Sequence, residues 1–372
     1  MTGEEARGMP GTRGTGNGPH AAVGDRASHT GPAGAVRGGT APVDPEAARR
    51  RAERRAARVT AGAGELRERL ADVLRGGLAA AEREGAAAWE ETAARMVDAQ
   101  APGLAARVRG LGALPGAGPG GPARLVEECA LLHLLVGGWL RRDSLPAPLA
   151  ATVRTRVGLP PVPRGEPVPD RWLVLAQHDH QDPYDRGGGA RLTVRRIWVH
   201  GAVSGRTGLV LSYGAPGRAP ELSLPVGGVV AATALPHPGA AWSRLDLGEV
   251  RGVTPPPPGG RAPGARVPAG GSVAAALAGY GATVAADPWT EGRAVTLAGV
   301  VPVLTGEGRG QVVEPSTGRA LPFAPEFPRG AAPWRLVAFA GGTGVTVFGE
   351  LGHTGLRPLA VWGADGVVVP LG

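Results

Sequence analysis

Lysine is missing from this chain: all 40 basic side chains are arginine. Chemistry that needs a lysine amine is thereby excluded, including the Walker lysine, the strand lysine of protein kinases and the Schiff-base lysine. Isoleucine and asparagine occur once each, as Ile197 and Asn17, so the arginine content reads first as codon usage in a GC-rich genome. Cys129 is the single cysteine, which leaves no disulfide within the chain. No apolar run approaches the ~20 residues that span a bilayer, and the N-terminus has no apolar signal core, so a cytoplasmic protein without a membrane segment is expected. A G-x-S-x-G elbow is also absent. The string Gly116, Gly118, Gly121 contains Pro119 and follows no strand, which argues against a dinucleotide fold.

What is present points to two or three compact units. The 372 residues are 42% hydrophobic, enough for real cores, while 63 glycines and 37 prolines imply long irregular connections. The formal net charge is +8, and residues 1–60 hold ten arginines against six acids, leaving 30 against 26 in the rest. Half of the excess therefore lies in the first sixty residues and the body is nearly neutral, unlike a domain built to track a phosphate backbone.

The central stretch is Trp89 to Gly110. Trp89, Ala93, Met96 and Val97 share a helical stripe, Pro102 interrupts it, and Leu104, Val108 and Leu111 begin another. Residues 1–43, rich in Gly and Arg, form a tail expected to be disordered. Asp44-Pro45-Glu46 is a helix start, and Ala47–Val59 reads as a solvated basic helix with no apolar face beyond alanine. Leu66, Leu70, Val73, Leu74 and Leu78 mark a packing helix, and Leu125–Leu140 reads as a core helix apolar on nearly all sides. A helical domain over 44–158 is expected, followed by a Pro-rich linker over 159–170.

Beyond it the pattern turns to strands. An antiparallel β region is expected over 171–253, with strands at Trp172–Gln177, Arg191–His200, Leu209–Tyr213, Glu221–Leu224 and Val229–Ala234. A Pro/Gly linker covers 254–271, and 272–372 should hold a short helix capped by Ser272 plus strands, among them Trp334–Ala340 and an edge strand at Val367–Val369. The fold class is α+β: an N-terminal helical domain, then an antiparallel β-rich region of small-barrel or sandwich type. No repeat of 20 to 50 residues is evident, and the two β regions can form one domain or two.

Few residues suggest chemistry. His178 and His180, two apart, can point the same way in an extended segment, with Asp182 or Asp185 completing a zinc or nickel site. The alternative is hairpin-loop chemistry ahead of Arg186-Gly187-Gly188-Gly189. Cys129 and His133 share a helix face, which reads as a structural thiol beside a satisfied core histidine. His200, His237 and His353 are isolated. Arg196 with Trp198, two apart on a strand, can stack on a base, as can Trp334 with Arg335, although an aromatic filling a small core is the plainer reading. Arg49, Arg50, Arg51, Arg54, Arg55 and Arg58 are the candidate nucleic-acid contacts.

Five runs carry a family resemblance: Asp44 to Arg55, Trp89 to Leu104, Leu125 to Leu132, Asp170 to Leu175 and Val345 to Glu350. Over about residues 44 to 372 the chain resembles the region that follows the zinc finger in actinobacterial SWIM zinc-finger family proteins. Such proteins open with a C-x-C…C-x-H finger; with one cysteine here, no zinc ligand carries over, and zinc is expected only in finger-bearing relatives. The missing catalytic constellation and the near-neutral body point to a non-enzymatic accessory or adaptor protein that binds a protein partner, and the resemblance implies a partner of the AAA-type ATPase or von Willebrand A-type class. The alternatives are a nucleic-acid-associated protein that uses the arginine-rich tail and helix, and a metal-dependent enzyme that uses His178 and His180.

Overall fold

The structure is a computed structural model. It describes residues 44–115, 120–159, 165–181, 192–215, 218–239, 244–258, 260–305, 310–325, 327 and 331–371. The Gly116 to Pro119 part of the glycine string, Asp182 and Asp185 lie outside the described residues, as does the N-terminal tail.

Five helices build the first part. α1 (Pro45–Gly76) starts where Asp44 accepts from the amides of Glu46 and Ala47, both at 3.0 Å, with proline in the first turn. It runs unbroken through the expected boundary near Val59. Val59, Ala63, Leu66, Leu70 and Val73 form one buried stripe, so the reading of Ala47–Val59 as a solvated helix is corrected: its last turn already belongs to the core. α2 (Leu78–Asp98) breaks at Gly85 and buries Trp89, Ala93 and Met96, whereas Val97, expected on that stripe, and Leu74, expected on the packing face of α1, are exposed. A Cβ added to Gly62 would lie 2.6 Å from that of Ala99, which measures how closely α1 and the end of α2 approach. α3 (Pro102–Leu111) begins at the expected proline, and α4 (Gly121–Leu140) and α5 (Ala147–Arg156) complete the bundle. α4 is less enclosed than its composition suggests, since Val126, His133 and Leu134 are exposed. No helix among the described residues is long and apolar enough to cross a membrane.

The first β region is a closed barrel of β1 (Val168–Gln181), β2 (Thr193–Gly201), β3 (Thr207–Gly214), β4 (Val229–Pro236) and β5 (Arg244–Thr254), in the order β1-β2-β3-β5-β4. All pairings are antiparallel except β3 with β5, which run parallel at Leu209↔Arg244 and Val210↔Leu245. β5 has no clear alternation and was not expected. Conversely, Glu221–Leu224 is not a strand; Leu224 is buried there by donating its amide to Gln177 Oε1 at 2.8 Å. Trp172, Val174, Ile197, Val199, Val210, Val230 and Leu245 fill the interior.

The second sheet follows α6 (Val273–Ala286), whose N-cap Ser272 accepts from Ala275 N at 3.1 Å. Its strands are β6 (Arg293–Leu304), β7 (Gly310–Glu314), β8 (Arg319–Pro322), β9 (Val345–Gly352), β10 (Gly355–Trp362) and β11 (Val368–Pro370). Their order is β11-β10-β9-β6-β7-β8. The segment expected as a strand at Trp334–Ala340 is instead a helix, α7 (Ala332–Ala340), which buries Pro333, Leu336 and Ala340 and ends at left-handed Gly341. Just past β8, a parallel bridge Phe323↔Leu356, with Ala324 N donating to Leu356 O at 2.8 Å, joins that end of the sheet to β10.

β6 to β10 thus repeat the path of β1 to β5: third strand parallel to fifth, fourth between fifth and first. This is the strand order of the five-stranded Greek-key barrel known as the OB-fold. No sequence period announces the repeat, because the two copies share topology and not residues. The two sheets share no strand pairing among the described residues. They pack face to face instead: Leu173, Leu175, Trp198 and Leu209 on the outside of β1–β3 meet Phe348, Leu359 and Trp362 of β9 and β10.

Candidate functional site

β1 continues through Gln181, so His178 and His180 sit in a strand and not in a hairpin loop. They share a face as expected, with ring centroids 6.5 Å apart. His178 is 6% exposed, and neither ring nitrogen has a hydrogen-bond partner among the described residues. Burial pulls its pKa down to about 4; the nearby Glu350 carboxylate opposes this, while the charges of Arg357, Arg196 and His180 add to it. The imidazole is therefore neutral near pH 7. Among the described residues no group of three or more His, Cys, Asp or Glu side chains is placed to hold a metal ion.

Across the strand pair, His178 is in register with Arg196. Arg196 donates through Nε and Nη2 to Glu350 Oε1 at 3.1 and 2.8 Å, and Trp198 Nε1 donates to the same oxygen at 2.8 Å. Burial works to raise the Glu350 pKa, but Arg196, His178 and these bonds hold it below the usual carboxylate range. The Arg196 guanidinium lies 5.9 Å from the Trp198 ring centroid, the geometry expected of a stacking platform. The ring itself is 4% exposed and meets Phe348 edge-on at 6.1 Å. The platform therefore faces the second sheet. Trp334, the other candidate, is 65% exposed on α7, and its neighbour Arg335 donates to Pro370 O.

The isolated groups are placed as follows. Cys129 is buried, and burial, then Glu128, pushes its thiol up to about 11, so it is a protonated core thiol. His133 faces solvent, which corrects its reading as a core histidine. His200 is buried with Nδ1 2.9 Å from Thr207 Oγ1, His237 lies 2.9 Å from Asp246, and His353 is exposed.

Four of the candidate arginines of α1 fall into two sets. Arg49 pairs with Glu53, and Arg50 with Glu46 and Asp44. Arg55 and Arg58 turn toward the bundle: Arg55 Nη2 donates to the carbonyls of Gln100 and Gly158, both at 3.3 Å, and Arg58 Nη2 to Gln100 Oε1 at 2.8 Å. Both carbonyls belong to special backbone. Gln100 has φ +60, and Gly158, at φ +95, ends α5 with Leu159 N reaching back to Arg154 O at 3.1 Å. Gly103 N donates to Val157 O at 3.2 Å, and this close approach of α3 to the end of α5 fixes the spot on which Arg55 rests.

Beside it lies a groove of about 240 Å³ lined by Arg51, Ala52 and Arg55 of α1, Arg154 of α5, and Leu159. Arg51 and Arg55 come from the sequence-derived set; Arg154 does not, because nothing local relates it to α1. A second groove, of about 310 Å³, runs between α1 and α2 and mixes Glu65, Arg69, Glu91 and Arg95 with Leu66 and Met96.

Residues 54–157, which are α1 from Arg54 onward through α5, match the family model of the SWIM-associated four-helix bundle domain. No curated protein and no solved structure matches the chain.

Proposed function

We propose that the chain is a non-enzymatic accessory protein of SWIM type that docks a protein partner through its helical bundle. The observation that carries this reading is the arginine groove. It is a concave surface on the SWIM-associated domain, lined among the described residues by Arg51, Arg55 and Arg154 beside Ala52 and Leu159. The closed barrel supports it from the other side. The β1–β3 face is the one by which OB-type barrels take oligonucleotides, and here Trp198 and Arg196 spend that face on packing against the second sheet. A partner of the AAA-type ATPase or von Willebrand A-type class follows from the family resemblance.

The test is affinity capture of the tagged full-length chain from its native cell, with nuclease treatment of the extract. A defined protein retained after nuclease supports the adaptor reading; loss of all co-purifying material on nuclease treatment overturns it. A second reading, nucleic-acid association, is favoured by Arg51 and Arg54, which make no ion pair with an acid of α1 among the described residues. Substitution tests it better than deletion, since a cut at residue 60 would sever α1 beside Val59. On that reading, oligonucleotide affinity falls steeply with salt, and R51Q/R54Q flattens the slope.

A further inference from the structure

The outward side of α4 has no cover among the described residues. Its inward side, Leu125, Cys129, Leu132, Leu135, Val136 and Trp139, is buried in the bundle. Opposite lie Val126, Ala130 and Leu134, all exposed, with Val126 at 40% and Leu134 at 46%. A surface helix turns polar and charged residues outward, whereas a helix that is apolar all round is normally enclosed. We propose that this face is covered by α4 of a second copy of the chain, packed antiparallel across a two-fold axis that passes beside Leu134.

Charge selects this occupant. Glu127, Leu134 and Arg141 are spaced by seven residues, so they follow one line along the outward face, with Arg141 at the C-cap. An acid and a base thus stand equally far on either side of the leucine. In an antiparallel pair centred on Leu134, each Glu127 meets Arg141 of the other copy, twice over by symmetry, and the surface is its own complement. Arg141 donates through Nε to Gly137 O at 3.5 Å and stays exposed. Neither it nor Glu127 pairs with an opposite charge among the described residues.

Shape permits the approach. Ala130 and Gly137 lie one turn to either side of Leu134, so no bulky neighbour holds the two helices apart where the leucines meet. The centre of the face, Val126, Ala130 and Leu134, carries neither an arginine nor a stacking ring and offers an oligonucleotide nothing. One helix face is smaller than the ~800 Å² that each partner gives to a standard interface, which points to a reversible dimer formed at micromolar concentration. The arginine groove takes no part in it, so the inference is independent of the adaptor reading.

Sedimentation velocity of the full chain, from micromolar to near-millimolar concentration, is the test. A monomer–dimer equilibrium is expected. L134E should remove the dimer, and E127R and R141E should each weaken it by about tenfold. The doubly swapped E127R/R141E should recover it. Within one copy the two positions lie roughly 21 Å apart at ~1.5 Å rise per residue, so recovery can come only from pairing between copies. Thermal melts of dilute samples should match the unsubstituted chain, and L134Q replaces L134E if the latter melts early. A chain that stays monomeric throughout, a dimer indifferent to both Leu134 variants, or a double variant no better than the singles overturns the inference. None of these results alters the nuclease-resistant capture that tests the adaptor reading.

Discussion

Arg156 at the end of α5 donates through Nη2 to Asp287 Oδ2 at 2.7 Å, joining the bundle to the turn that follows α6. Asp287 is 6% exposed and also accepts from Trp289 N at 3.1 Å. Trp289 enters the bundle core and donates its indole N–H to Leu131 O on α4 at 2.8 Å. A side chain from beyond the first barrel thus completes the packing of the helices.

Trp289→Ala should open a cavity in the bundle and cost about 3–5 kcal/mol. Hydrogen exchange would show it as lost protection in α4 and α5. Unchanged protection there would mean that the bundle closes without the indole.

The pH dependence comes from His178. Its pKa of about 4 in the folded chain lies below the ordinary 6.5, so the unfolded chain binds the proton more tightly. Its stabilising contribution is complete above pH 6.5 and is lost as pH falls toward 4, up to about 3 kcal/mol at ~1.4 kcal/mol per unit. Glu350, whose carboxyl is held low, loses its contribution in the same direction at more acidic pH. Denaturant melts across pH 4 to 7 should show the slope, and His178→Leu should flatten it.

Glu350→Gln leaves the Arg196 guanidinium largely buried beside an uncharged acceptor. Destabilisation of about 3 kcal/mol is expected, partly recovered in E350Q/R196M, where no charge is left unmatched. A double-mutant cycle by chemical denaturation measures the coupling; additivity of the two substitutions would show that the pair contributes nothing specific.

Gly158→Ala places a methyl group 2.7 Å from Pro102 Cγ at φ +95. A cost of at least about 2 kcal/mol is expected, with the Arg55 anchor displaced. Denaturant melts measure the loss; a variant as stable as the parent would show that the contact of Gly103 N with Val157 O yields without cost.

The legible parts were those with local causes. The Asp44 and Ser272 caps, the Pro102 break and the Trp89, Ala93 and Met96 part of the stripe are set by neighbours in sequence and stand where expected; Val97, one position round the helix from Met96, turns to solvent. Trp334–Ala340 misled because its alternating apolar residues fit either period, and burial of Leu336 and Ala340 on one side decided for helix. β5, β7 and β8 are short or weakly alternating, and pairing alone fixes them. For the candidate groove, Arg51 and Arg55 were visible as a basic run. Arg154 was not, since only the packing of α5 beside α1 brings it there.

The insertion of Trp289 also orders events in time. Leu131, whose carbonyl receives the indole, precedes it by 158 positions. At a synthesis rate of ~5–20 residues per second, the emerging helices wait roughly ten to thirty seconds for the residue that closes them. Through that interval the nascent bundle exposes a hole of indole size, and the first barrel is made before the helices ahead of it can finish.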